Sequence, residues 1–477
     1  MPLPTIPSGN VASALGGGFE VANSCRFDGS SSYLSAGSFG TATSGTTWTF
    51  SLWVKRSEIS AVNYICGSYD GSRTNSLDLV YDAADTLSFY HGSNDGNGKL
   101  VKPARLFRDP SAWTHVVWSV DTTQGTAANR VKVYFNGVED AKATATYPDE
   151  DAVAKLFADT NNKIGSQWNA TSGTIFDGYM AEVVFIDGQA LTPTSFGEYD
   201  EDSPQIWKPI DVSGLTFGNN GFYLDFEDSS ALGNDVSGNN NDFSTSGLAA
   251  TDQSTDTCTN NFATMNPLDN YYAASVFSEG NTTVDMNVSG NETYNTSTIG
   301  VSKGKWYAEV KLVDSSTKPM TGIVANHPVA IGTVLGNAGH GYGYMGEDGK
   351  YKTNSTNNTY GTTYTTNDII SIALDLDNNK LYFAKNNSWQ NSGDPTSGST
   401  GTGAISITAP SSTATGAYFF AAGKRHSDNN KVSWNFGSPP YSVSSGNADG
   451  NGYGNFEYAP PSGYLALCTK NLGSDGG

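Results

Sequence analysis

Apolar residues along this chain recur in short runs at every second position. From Cys25 onward CRFDGSSSYLSAG, WTFSLWVKR, NYICGSYD, SLDLVYD, TLSFYHG, WTHVVWSVD, RVKVYFNGV, NKIGSQW and GYMAEVVFIDGQAL are separated by Gly, Asn, Asp and Ser. Such runs read as strands with one buried face joined by tight turns, and their density predicts an antiparallel sandwich. A second series, GKWYAEVKLV, GYGYMGEDGKY, NDIISIALDLDNNKLYFAK, GAYFFAAG and KVSWNFG, lies between Gly304 and Gly437 and predicts another. Only DEDAVAKLFAD, Asp149 to Asp159, has a spacing that predicts a short helix.

The expected class is therefore all-β, two tandem antiparallel sandwiches. Residues 1–20, rich in Pro, Gly and Ala with no period, read as an arm. The first sandwich is expected over 21–212, closing at the acidic, Pro-bearing FGEYDEDSPQIWKPIDVSG. A connector over 213–270 carries strand-like FYLDF and an Asn/Gly-rich turn; the second sandwich spans 271–438, and 439–477 forms a tail that packs back on it.

Composition sharpens this. With 477 residues, 54 of them glycine, and an aromatic fraction of 12%, the chain has little helix-forming material. Its 26 Lys+Arg against 47 Asp+Glu give a net charge of −21, which repels nucleic acid and anionic membranes at long range. Cys25, Cys66, Cys258 and Cys468 are too scattered for a disulfide framework and are expected as buried free thiols. The start, MPLPTIPSGNVASAL, has no basic n-region or apolar h-region, and no run reaches eighteen apolar residues, so neither a Sec signal nor membrane insertion is expected.

WTFSLWVKR, WTHVVWSVD, VKVYFNGVE and FDGYMAEVVFIDGQALT resemble, in order, the signature strands of a laminin-G-like (concanavalin A-like) jelly roll. LDFEDSSALGNDVSGNNNDF also resembles the opening strand and turn of such modules. GKWYAEV, GYGYMGEDGKY, DIISIALDLDNNKLYFAKNNSW and VSWNFG resemble a SPRY domain, itself a concanavalin-like sandwich. On this resemblance NRVKVYFNGVE and DLDNNKLYFAKNNSW are each the hairpin at the centre of a sandwich, with Asn-Gly or Asn-Asn supplying the positive φ of the turn. The tandem, with the closing run PPSGYLALCTKNL, is similar to tail-fibre or other virion-surface proteins of marine and environmental bacteriophages. This implies a protein made in the host cytoplasm and carried on the virion, a homo-oligomer whose partners are other virion proteins and a bacterial surface glycan.

Catalysis has little to build on. Glycoside hydrolysis needs two carboxylates roughly 5–10 Å apart on one face. Asp375 with Asp377 falls in the acidic turn of the SPRY pattern, and Asp177 with Glu182, five apart, falls on opposite faces of a regular strand. The histidines lack HExxH or nucleophile-elbow context, and His115, in WTHVVW, reads as a satisfied sheet histidine. No catalytic residues and no cofactor are expected. Some laminin-G-like modules bind Ca2+ through rim carboxylates, but no DxDxDG run supports a metal here. Binding is better served, because sugar recognition pairs a stacking ring with Asn or Asp on rim loops. The candidates are Trp168 and Asn169 in SQWNATSG, Tyr69, Asp70, Arg73 and Asn75 in GSYDGSRTN, and Trp389 after KNNS. An adhesin, a structural virion component and a hydrolase remain open, in that order.

Overall fold

Alternation along Thr47–Arg56 divides its side chains between two environments. Trp48, Phe50, Leu52 and Val54 enter the main core, whereas Trp53 joins a smaller cluster on the outer face. This strand belongs to the first of two units, Met1–Asn261 and Phe262–Gly477, into which the chain divides. The computed structural model describes residues 18–69, 76–92, 98–153, 156–157, 161–170, 173–269, 275–286, 292–315, 318–326, 333–337, 339–425 and 430–473.

In the first unit an eight-stranded sheet runs Val138–Glu139, Val131–Phe135, Thr114–Asp121, Thr47–Arg56, Asp177–Asp187, Ser24–Asp28 and Gln253–Ser254, with Phe222–Leu224 added against Asp177–Asp187. The second sheet runs Lys142–Thr146, Lys99–Pro103, Leu87–His91, Leu77–Tyr81, Asn63–Tyr69, Asn161–Ile164, Tyr33–Ala36 and Ser244–Ser246. Side chains from both, among them Phe50 and Trp118 from one and Leu79 and Phe89 from the other, share one core. All pairings between these strands are antiparallel, as expected for a sandwich.

Four differences from the sequence reading have physical causes. Residues 213–261 are part of the first sandwich: Phe222, Leu224, Phe226, Leu232 and Phe243 lie in its core, and Ser244–Ser246 pairs with Tyr33–Ala36. Their apolar side chains are buried in spite of the turn-rich polar sequence around them. Lys99–Pro103 and Lys142–Thr146 pair at a sheet edge, where exposed faces hide the period. Over Asp149–Asp159 the described residues are turn and coil, not helix. The Val131–Phe135/Val138–Glu139 hairpin lies at the sheet edge, not the centre; Asn136 (φ 49°) and Gly137 (φ 82°) do form its turn.

The second unit has a nine-stranded sheet, led by Val276–Ser278, Thr283–Asp285, Asn430–Asn435, Lys305–Ser315, Ile369–Asp375, Lys380–Lys385 and Ser388–Trp389, and a six-stranded sheet from Thr293–Val301 to Thr356–Asn358. Here too the predicted central hairpin stands next to the edge, with Asn386 (φ 45°) and Asn387 (φ 67°) turning Lys385 into Ser388. In the tail, Phe456, Tyr464 and Ala466 pack against Tyr307 and Tyr382. The described helices are short 3-10 turns and one turn at Thr469–Asn471, none long and apolar enough to cross a membrane.

All four cysteines are free and buried, and burial pushes the Cys25, Cys66 and Cys258 thiols well above their usual pKa. A thiol reagent at pH 8 should therefore leave the native protein unmodified and titrate every cysteine only after unfolding. Rapid labelling of the native chain would contradict that burial.

Candidate functional site

The arrangement most like a catalytic one is inert as a base. On the outer face of the first sheet His115 Nε2 lies 2.9 Å from Ser51 Oγ, and Trp207 Nε1 donates to His115 Nδ1 at 3.0 Å. Because Nδ1 accepts, the neutral ring carries its proton on Nε2 and donates to Ser51, so it has no lone pair with which to take the serine proton. Burial pushes the His115 pKa down to about 3, and the ring is stacked between Trp53 and Trp207.

The carboxylate pairs are likewise structural. Asp375, fully buried, accepts from Asn378 N (3.0 Å) and Nδ2 (2.8 Å) and pairs with Lys305 at 3.4 Å, while Asp377 accepts from Gly304 N at 3.0 Å. Opposite-face placement of Asp177 and Glu182 is overturned by a β-bulge between Ala181 and Val184. Glu182 sits there at φ 51°, which brings it to the outer face with Tyr179 and Ala181 and, by alternation, Asp177. Five strand residues still separate the two carboxylates by roughly 16 Å, beyond the glycosidase range. Among the described residues no group of three or more His, Cys, Asp or Glu could hold a metal ion.

Two aromatic sites stand at the surface. In the first unit, pairing of Asn63–Tyr69 with Asn161–Ile164 sets Tyr69 opposite Asn161. The chain then turns at Gly165 (φ 80°) and through Gln167–Ala170, where Ala170 N donates to Gln167 O at 2.9 Å. That turn lays Trp168 on Tyr69, ring centroids 4.1 Å apart and planes at 19°. A Cβ at Gly67 would come 2.7 Å from Trp168 N, so only glycine admits this approach. Both rings are half-buried and Asn169 is exposed. Tyr69, Trp168 and Asn169 are thus brought together; Asp70, Arg73 and Asn75 lie outside the described residues.

In the second unit Trp389 lies on a pocket of about 620 Å³ lined also by Tyr360, Thr362, Lys385, Gln390 and Asn391. Its ring is half-buried, meets Tyr382 edge-on at 6.5 Å, and makes no hydrogen bond among the described residues. Gln390 fixes the walls: its Oε1 accepts from Thr362 N (2.9 Å) and Oγ1 (3.0 Å), and its Nε2 donates to Ser388 O (2.7 Å). Positive φ at Asn386, Asn387, Asn391 and Ser392 curls the loop around the tryptophan. The sequence reading missed Gln390 and the 360–362 wall; the amide run NNSWQN was the signal for the first, and nothing local marked the second.

Residues 28–195 match the model of the concanavalin A-like lectin/glucanases superfamily, and residues 303–407 match that of the SPRY domain. The chain carries these two domains in tandem. Tyr69 and Trp168 fall in the concanavalin A-like domain and Trp389 in the SPRY domain, a pairing that points to a binding module. Over 85 residues the chain is 34% identical to Ran-binding protein 9 of Danio rerio and 35% identical to that of Homo sapiens, covering 17% of this chain and 14% and 12% of those proteins. It thus spans about one seventh or less of the length of these relatives. Similar solved structures include the SPRY domain of human HERC1 (14% identity, TM-score 0.27, 36% of this chain and 96% of that one). Another is a putative carbohydrate binding protein from Bacteroides ovatus (17% identity, TM-score 0.35, 48% of this chain and 61% of that one).

Proposed function

We propose that this chain is a glycan-binding protein without catalytic activity, a tail fibre or tail-associated adhesin of a bacteriophage that contacts a glycan on the bacterial surface. The observation that carries the glycan reading is Trp389: a half-exposed ring whose indole N–H has no partner among the described residues, set among amides and hydroxyls in a pocket. Such a site offers an apolar face for a pyranose ring and donors and acceptors for its hydroxyls. The stacked Tyr69–Trp168 pair beside Asn169 offers a second platform. Support for the virion placement is the sequence resemblance of the tandem and its closing run. In a homo-oligomer on a virion, weak sites act together and avidity multiplies them.

Trp389→Ala and Trp168→Ala, made separately, should each weaken binding to an array of bacterial surface polysaccharides several-fold, on the order of 1 kcal/mol of ring contact. The melting temperature should change little, because both rings are partly exposed. A loss of roughly 3–5 kcal/mol in stability would instead mark a core plug. Reducing ends released from the same polysaccharides would overturn the reading in favour of a hydrolase. If the wild-type protein binds none of them, the structural reading, a capsid decoration or fibre module binding only other virion proteins, takes its place; labelling of assembled virions tests the location.

A further inference from the structure

In the first unit, three of the chain's seven arginines meet at one pocket of about 280 Å³, formed where the loop 104–113 passes the end of Thr47–Arg56. Arg56, only 3% exposed, and Tyr81, fully buried, both line it. The Arg56 guanidinium lies 4.3 Å from the Tyr81 ring centroid. Its Nη1 donates to Asp85 Oδ1 (3.1 Å) and to the Phe107 carbonyl (2.8 Å). Arg56 Nε and Nη2 and the Tyr81 hydroxyl have no hydrogen-bond partner among the described residues. Buried donors are seldom left unpaired, and this concentration on two neighbouring side chains calls for an acceptor.

Nearer solvent, Arg108 pairs through Nε with Asp85 Oδ2 at 3.0 Å, and Arg105 through Nε with Asp140 Oδ1 at 3.8 Å, its guanidinium also lying 5.3 Å from the Phe135 ring centroid. Among the described residues neither spends an Nη donor on a hydrogen bond. The neighbouring carboxylates, by contrast, are already supplied. Asp85 is shared by Arg56 and Arg108 and also accepts from Ser60 N. Asp109 accepts from Ser111 N and Oγ, and Asp140 from Ala104 N and Arg105 N. Val54, Ala112 and Leu106, the last 46% exposed, add an apolar wall.

We propose that this pocket binds the oxyanion of an acidic saccharide, a carboxylate or a sulfate or phosphate ester, with the apolar wall against the sugar carbons. Guanidinium forks match oxyanions in plane and in charge. On a chain of net charge −21 an anion is repelled at long range, so its capture depends on such a local cluster. The site is defined by charge and uses neither Trp168 nor Trp389, so it stands or falls apart from the glycan reading above.

Calorimetric titration of the full chain with glucuronate, glucose 6-sulfate, glucose 6-phosphate and neutral glucose tests this. At least one charged sugar should bind, and its affinity should fall at least tenfold in the R105Q/R108Q double variant and fall again as salt is raised. Glucose should not compete with it. Y81F, which removes only the unpaired hydroxyl, should weaken the charged sugar severalfold without lowering the melting temperature. No binding of any charged sugar, its displacement by glucose, or unchanged affinity in R105Q/R108Q or in Y81F would overturn the proposal.

Discussion

Replacing Glu309 with alanine should destabilise the SPRY-bearing unit by about 3–5 kcal/mol. Its carboxylate is fully buried and takes four donors. Tyr307 Oη (3.0 Å) and Tyr458 N (2.7 Å) reach Oε1; Asn435 Nδ2 (3.1 Å) and Glu457 N (3.0 Å) reach Oε2. Burial pushes its pKa up to about 7, against the pull of those donors. The alanine variant would strand two backbone N–H groups of the tail with no acceptor, so the tail should loosen first. Urea unfolding measures the loss, and faster proteolysis within 439–477 locates it. A change below about 1 kcal/mol would show that water replaces the carboxylate freely.

The second large effect depends on pH. Burial is the main cause that raises Glu182 to about 8, with Asp225, Glu227 and Asp211 adding to it, while Tyr223 Oη donates to Oε2 at 2.7 Å. The folded-state pKa lies above the unfolded value, so the native state holds the extra proton between about pH 4.5 and 8. The resulting stability is fully present below that window and is lost as the pH rises through it, at up to about 1.4 kcal/mol per pH unit. Glu182→Gln keeps an acceptor for Tyr223 and removes the titration. It should match the wild type near pH 5 and exceed it in stability at pH 9. A difference between the two proteins that does not vary with pH would refute the buried-proton account.

Much of the fold was legible because each strand with one buried face writes period two into the chain, as Trp48, Phe50, Leu52 and Val54 do. What stayed hidden depends on partners far away in sequence. FYLDF looked like a connector because its partner strand, Asp177–Asp187, lies about forty residues upstream, and the turns around it outnumber its apolar residues. The bulge at Glu182 reverses the parity on which any face assignment rests, and no residue type announces it. At the site, Tyr69 and Trp168 were each singled out from local context, but their stacking comes from a pairing across some ninety residues. Arg56 and Tyr81 gave no sign of their unpaired donors, because a missing partner is a property of three-dimensional packing.

The pairing of Ser24 with Ser254 and Cys25 with Gln253 has one more consequence. The first unit enters and leaves through neighbouring strands, about 5 Å apart across the sheet, and Val21 N is tied to Thr259 Oγ1 at 3.1 Å. A module with adjacent ends can be transplanted into a surface hairpin of an unrelated protein, or circularised and reopened elsewhere, with only a few joining residues. The piece to move is not the 28–195 span of the domain match but the whole run to Asn261, because a cut after 195 removes the Phe222–Leu224 strand and its core aromatics.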